Sequence, residues 1–387
     1  MAAAAAAFQF ITLLSHCSVF PLLLLVTPCL SSSSGNNNSN KILKRCGFDA
    51  IYQLGDSFSD TGNLIQQHPE SWFGRLPYGE SFLIKKRPTG RCSDGLLIVD
   101  YLAISAGIPL LDPYLDPNSN MGRGRGANFA VAGSTALPLD VLSEKGISPL
   151  LTNTTLSDQL DWMFTHFNSI CYSEQDCGEK LKSALFMVGE IGESDYFYGL
   201  YQGRKIEEVM AMVPDVVEAV KNAVTRVITY GARRIVVPGN FPFGCLPIYL
   251  AKFKTNTALA YDEFSCLKKL NSLSILHNEH LKQAIQLMKK DNPNVTIIYG
   301  DYYKAYQWIL NHSTSLGFNA RSLQKACCGG GGDYGFNSKR MCGAARVAIC
   351  PDPNRHISWD GVHLTQMAYR RIASKFIADI FPLLHCR

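Results

Sequence analysis

The first forty residues contain no Asp, Glu, Lys or Arg, in a chain of 387 residues that carries 37 basic and 32 acidic side chains. From Phe8 to Leu30 this leader is almost wholly apolar, and the small residues Ser31 to Ser34 follow, the pattern of a secretory signal over residues 1–34. A membrane anchor is the alternative reading, because the run is long enough to cross a bilayer; Pro21, Pro28 and the serines favour cleavage. No later stretch approaches a membrane span, which excludes an integral membrane enzyme and predicts a mature chain without stable insertion. A Pro-, Ser- or Gly-rich linker and an internal repeat are also missing, so residues 46–387 are expected to form one domain behind a flexible polar junction at 35–45. The glycines Gly329 to Gly332 are not followed by Gly-Lys-Ser/Thr, and are therefore a loop and no phosphate cradle.

Basic runs are scarce too. The net charge of +5 belongs to the mature part and is spread along it, and Gly122-Arg123-Gly124-Arg125-Gly126 is taken as a loop, which excludes nucleic acid as a partner. The mild positive balance suits association with pectin-like cell-wall polyanions or anionic lipid.

Cysteine, by contrast, is plentiful. Past the leader stand Cys46, Cys92, Cys171, Cys177, Cys245, Cys266, Cys327, Cys328, Cys342, Cys350 and Cys386, which an oxidising compartment pairs. The expected bonds are Cys171 with Cys177, Cys245 with Cys266, Cys46 with Cys386, and Cys327 and Cys328 with Cys342 and Cys350 in either order, leaving Cys92 free. A zinc site in the last cluster lacks the paired Cys-x-x-Cys spacing. Sequons at Asn37, Asn153, Asn294 and Asn311 agree with secretion to the apoplast or cell wall, with the vacuole as an alternative destination.

Short apolar runs at Ala50 to Leu54, Ala184 to Val188, Arg234 to Val237 and Val295 to Tyr299 are each followed by a Gly, Pro or Asp turn, as buried strands are. Between them Val209, Val213, Val216, Val217, Val220, Val224, Val227 and Ile228 recur at helical spacing. Phe264, Leu267, Leu270, Leu281, Ile285 and Met288 do the same. The alternation predicts an α/β fold with a parallel sheet covered on both faces, whose site lies beyond the carboxyl ends of the strands.

Gly55-Asp56-Ser57 stands directly after the first strand, and Asp360-Gly361-Val362-His363 stands near the C-terminus. A serine hydroxyl needs a neighbouring imidazole to remove its proton as it attacks an acyl carbon, and an imidazole needs a carboxylate to orient it. The three-residue step from Asp360 to His363 fits one turn. Gly-Asp-Ser alone is a common turn tripeptide; its pairing with the terminal Asp-x-x-His is what points to catalysis.

With these residues in view, the chain resembles the plant GDSL esterase/lipase family of SGNH hydrolases from about Phe48 to about Ala378. The resemblance is carried by Leu54-Gly55-Asp56-Ser57-Phe58-Ser59-Asp60-Thr61-Gly62-Asn63, Pro77-Tyr78-Gly79-Glu80-Ser81-Phe82, Gly90-Arg91-Cys92-Ser93-Asp94-Gly95, Gly126-Ala127-Asn128-Phe129-Ala130-Val131-Ala132-Gly133, Gly189-Glu190-Ile191-Gly192-Glu193-Ser194-Asp195-Tyr196 and Trp359-Asp360-Gly361-Val362-His363. It implies a three-layer α/β/α flavodoxin-like fold, a small-molecule ester as substrate, and no cofactor or metal. It also implies Ser57 as nucleophile, His363 as base and Asp360 as its orienter. The Ser57 and Gly133 N–H groups become the oxyanion donors. The family's Gly-x-Asn-Asp reads Gly192-Glu193-Ser194-Asp195 here, so a side-chain oxyanion donor is replaced by the shorter Ser194. Loss of such a donor costs about a hundred- to a thousandfold in rate. An acyltransferase using an alcohol acceptor, or a silent binding protein, are the readings that this departure motivates.

Other candidates have bland readings. Two histidines one turn apart, His277 and His280, lack a third metal ligand, and His356 is taken as a loop residue. Tyr302, Tyr303, Tyr306 and Trp308, like Trp72, Phe73 and Tyr78, are aromatic clusters of the kind that usually belongs to a core. Glu190, Glu193 and Asp195 crowd one strand end, but sit within an esterase block, which ranks glycoside hydrolysis far below acyl chemistry.

Overall fold

The run Ile51-Tyr52-Gln53-Leu54 forms β1 and is buried along its whole length, as a strand covered on both faces must be. The computed structural model describes residues 39–83, 87–119 and 125–386. Around β1 lie β2 (Gly126–Asn128), β3 (Leu185–Val188), β4 (Arg234–Pro238) and β5 (Thr296–Gly300). All pairings are parallel, in the order β2-β1-β3-β4-β5. Four of the five strands coincide with the apolar runs seen in the sequence. The fifth, β2, is three residues long, and glycine opens it because a Cβ there would lie 1.8 Å from the Ile51 carbonyl oxygen.

Helices cover both faces. Val213–Thr229 buries Val213, Val216, Val217, Val220, Val224 and Val227. The valine stripe is nevertheless divided: Val209 belongs to the separate helix Ile206–Met210, and Pro214, lacking a backbone N–H, sits in the first turn of the next one. Lys268–Asp291 buries Leu270, Leu281, Ile285 and Met288, while Phe264 and Leu267 precede it. Gln366–Ile380 begins with Thr365 as N-cap, accepting from the Ala368 N–H. Among the described residues no helix is long and apolar enough to cross a membrane.

Asn38–Arg387 form one compact unit. In the segment 35–45, expected as a flexible junction, 3-10 turns run from Ser39 to Cys46 across a kink at Lys41, and Leu43 is fully buried, its N–H donating to Ser105 Oγ. Gly329, expected in a loop, belongs to the ribbon strand β6 (Cys328–Gly329), paired antiparallel with β7 (Ala348–Ile349). Among the described residues five disulfides link Cys46–Cys386, Cys171–Cys177, Cys245–Cys266, Cys327–Cys350 and Cys328–Cys342, and Cys92 is free and buried. Asn153, Asn294 and Asn311 are all exposed. The signal segment 1–34 and Asn37 lie outside the described residues.

Candidate active site

Each catalytic candidate leaves the sheet at the same edge. Ser57 follows β1, Gly133 follows the segment leading out of β2, and Ser194 lies in the first turn of the helix Glu193–Tyr201 after β3. Parallel strands deliver their outgoing turns to one end, which is why three separate blocks converge.

The turn around Ser57 is held by its neighbours. Gln159, on the helix Leu156–Ile170, binds both sides of the Gly55 residue: it accepts from the Gly55 N–H at 2.9 Å and donates to the Gly55 carbonyl at 2.8 Å. Asp60 gathers four backbone N–H groups, those of Gly62, Asn63 and Leu64 and that of Ala132, at 2.6–3.0 Å. The last of these ties the Ser57 block to the residue before Gly133. Asn128 donates to the Ser59 carbonyl and Asn63 to the carbonyls of Asn128 and Ala130, so the two loops are laced together.

At Gly133 φ is +85°, and a Cβ would lie 2.7 Å from both Leu151 Cβ and the Tyr198 hydroxyl. Tyr198, one turn beyond Ser194, donates to the Gly133 carbonyl at 2.7 Å and so fixes its peptide. Neither the Ser57 nor the Gly133 N–H donates a hydrogen bond within the described residues. Ser194 is buried, and Asp195 beside it accepts from the Ala136 and Leu137 N–H groups, joining the third block to the second.

From the opposite end of the chain, the loop Asp360 to His363 arrives over the same edge. Asp360 Oδ2 lies 2.7 Å from His363 Nδ1, and Oδ1 accepts from the backbone N–H of Val362 and His363. Burial opposes the Asp360 charge, but the His363 imidazole and these backbone donors outweigh it and hold the carboxyl below its ordinary range. His363 Nε2 has no partner among the described residues. Phe58, next to Ser57, packs edge-on against the His363 ring with centroids 5.5 Å apart, and this contact brings the two ends of the chain together.

The loop itself is anchored on three sides. Cys328 donates its N–H to the Trp359 carbonyl, so the disulfide ribbon backs the residue before Asp360. Ser93 donates to the Leu364 carbonyl and Asp94 accepts from the Gln366 N–H, which gives the Gly90 to Gly95 block its task. Arg91 in that block makes a buried two-pronged pair with Asp100 at 2.7 and 2.8 Å.

Several residues escaped sequence reasoning. Tyr78, read as an aromatic of the core, donates to Asp360 Oδ2 at 2.8 Å, and Phe73 packs edge-on against His363. Gln159 belongs to no motif. Tyr302 and Tyr306 are core, with Tyr302 stacked on Phe241. The acids near Ser194 are buried: Glu193 accepts from the Tyr249 hydroxyl at 2.6 Å, and burial, then the nearby Asp56, pushes the Glu190 carboxyl far up. His277 meets the Tyr196 hydroxyl at 2.8 Å, and burial, aided by the His280 charge, pushes its ring down to about 3. Among the described residues Cys327, Cys350 and His356 form the one cluster spaced like metal ligands, and both sulfurs are spent in a disulfide.

The sequence profile of the GDSL-like Lipase/Acylhydrolase family matches residues 51–376. Acetylajmalan esterase 1 of Rauvolfia serpentina is 45% identical over 344 residues, spanning 88% of this chain and 89% of the relative. A GDSL esterase/lipase of Arabidopsis thaliana is 41% identical over 344 residues, spanning 87% and 92%. Phospholipase A1 from Streptomyces albidoflavus NA297 superposes with a TM-score of 0.36 at 14% identity, over 87% of this chain and 98% of that one.

Proposed function

Because the chain belongs to the GDSL-like Lipase/Acylhydrolase family and is a carboxylic ester hydrolase, we propose that it is a secreted serine esterase working through Ser57, His363 and Asp360. Ser57 Oγ attacks the ester carbonyl while His363 Nε2 takes its proton. Asp360 holds Nδ1–H and balances the imidazolium that forms. The N–H groups of Ser57 and Gly133 receive the developing oxyanion, with Ser194 in the place of the family's asparagine. Collapse breaks the ester bond and His363 protonates the departing alcohol. Water, deprotonated by the same ring, then releases the acid and restores Ser57. The observation that carries this reading is the 2.7 Å contact of Asp360 with His363 Nδ1, which leaves Nε2 as the ring's remaining proton acceptor.

The names of the Rauvolfia relatives make an acetyl ester the first substrate to try. Five disulfides fit an extracellular protein, and the exposed Asn153, Asn294 and Asn311 are proposed glycan acceptors.

The test is labelling of the secreted, purified protein with a fluorophosphonate probe beside Ser57→Ala. Wild type labels and the variant does not. A folded wild type that stays unlabelled would remove the activated serine and favour a binding protein. The alcohol-acceptor alternative, motivated by Ser194, is separated by adding an alcohol during turnover: free acid remains the main product of a hydrolase, whereas a transferase diverts the acyl group to the new ester.

A further inference from the structure

We infer that Tyr78 is a positioning residue that sets the basicity of His363 through Asp360, a role that rests on the triad proposed above. The Asp360 carboxylate has about four lone-pair sites. His363 Nδ1 and the Tyr78 hydroxyl share Oδ2, at 2.7 and 2.8 Å, and the Val362 and His363 N–H groups share Oδ1, at 2.9 and 2.7 Å. The phenol therefore completes the set and shares the one oxygen on which the imidazole depends. Its bond fixes the rotation of the carboxylate about the Cβ–Cγ axis. It also draws charge from Oδ2, which weakens the hold of Asp360 on the imidazolium.

The surrounding structure is built to keep this hydroxyl in place. Tyr78 is 2% exposed and packs edge-on against Phe73 at 5.0 Å and Trp359 at 6.3 Å. Gly79 follows it at φ +78°, where a Cβ would lie 2.1 Å from the Arg87 carbonyl oxygen, and the Gly79 N–H donates to Ser93. These contacts give the Pro77 to Phe82 block a use in the site. Tyr78 is not itself an acid or base, since burial and the neighbouring Asp360 keep its phenol protonated.

Cys92 and Tyr369 lie near Asp360, and burial holds both neutral. Glu193 lies within electrostatic range of His363 and is held by the Tyr249 hydroxyl.

The experiment is the pH profile of kcat/KM on a chromogenic acetyl ester, for wild type, Tyr78→Phe and a protein carrying 3-fluorotyrosine at position 78, with Ser57→Ala as control. Without the hydroxyl, Asp360 binds the imidazolium more strongly, so the acid limb of Tyr78→Phe moves up by about half to one pH unit. KM should stay within about twofold while kcat falls severalfold, as expected when an interaction acts through the base and not on the bound substrate. The fluorinated phenol is a stronger donor of nearly the same shape, and its acid limb moves down. Should Tyr78→Phe fail to fold, the fluorotyrosine protein carries the test alone. A limb that stays put in the folded variants, with only thermal stability altered, would reduce Tyr78 to packing. Retained turnover in Ser57→Ala would sink the triad reading and this role with it; lost turnover there with an unmoved limb sinks the Tyr78 role alone.

Discussion

Gln159 and Gly55 exchange two buried hydrogen bonds, N–H to Oε1 at 2.9 Å and Nε2–H to carbonyl at 2.8 Å. They lie 104 positions apart in sequence, and the glycine stands two residues before the proposed nucleophile. A side-chain amide is the group that satisfies a backbone donor and acceptor at once. Gln159→Leu keeps the size and strands the Gly55 N–H, at about 1–3 kcal/mol, while the Gly55 carbonyl keeps the Val131 N–H at 3.2 Å. We expect reduced stability in urea and a fall in kcat larger than the unfolded fraction explains. Unchanged kcat in the folded variant would show that the serine turn holds itself.

Gly133→Ala tests the second oxyanion donor by geometry. The new methyl would have to fit at φ +85° against Leu151 Cβ and the Tyr198 hydroxyl, each 2.7 Å away. The peptide must rotate or the Tyr198 bond to its carbonyl must break, and in either case the N–H loses its aim. Loss of one oxyanion donor lowers kcat by about a hundred- to a thousandfold. Fluorophosphonate labelling should slow along with turnover. A variant within about threefold of wild type would remove Gly133 from the proposed oxyanion hole.

The distance between what the sequence disclosed and what it hid follows from the range of the forces involved. The strands β1, β3, β4 and β5 were legible because burial on both faces leaves a continuous apolar run, whereas β2 is three residues of Gly-Ala-Asn with no such signature. Asp360 and His363 were legible because one local turn joins them. The Tyr78 hydroxyl reaches Asp360 across 282 positions, and Gln159 reaches Gly55 from the middle of an ordinary amphipathic helix. Nothing in the spacing of either residue distinguishes it from core, since the partner is chosen by the fold. The same holds for the cysteine ribbon, whose pairing order became definite only when β6 and β7 fixed which sulfurs meet.

Ser194→Asn asks whether the site has been rebuilt around serine. Ser194 is buried in the first turn of its helix, between Glu193, bound to Tyr249, and Asp195, bound to two backbone N–H groups. An amide reaches further than a hydroxyl and is less prone to bond its own backbone. If the pocket still accepts it, esterase turnover rises, toward the hundredfold that one donor contributes. Steady-state kinetics on an acetyl ester decide it: no change or a fall would mean that Ser194 is the residue this site is adapted to.

A pH dependence of stability is built into His166. Its ring lies among Tyr52, Tyr114, Phe129 and Phe167, with centroids 5.8–6.3 Å away, and burial pushes it down to about 4 from an ordinary 6.5. Between those values the folded ring is neutral and the unfolded one is protonated, so the unfolded state binds more protons. Stability therefore falls as pH drops from 6.5 to about 4, and this contribution levels off below. His166→Phe fits an aromatic nest and removes up to about 1.4 kcal/mol per pH unit from that slope. His277 should leave a residual slope, since its ring is pushed down to about 3. Urea unfolding at several pH values between 7 and 4 would measure both proteins, and parallel curves would mean that the His166 ring already takes up its proton in the folded state.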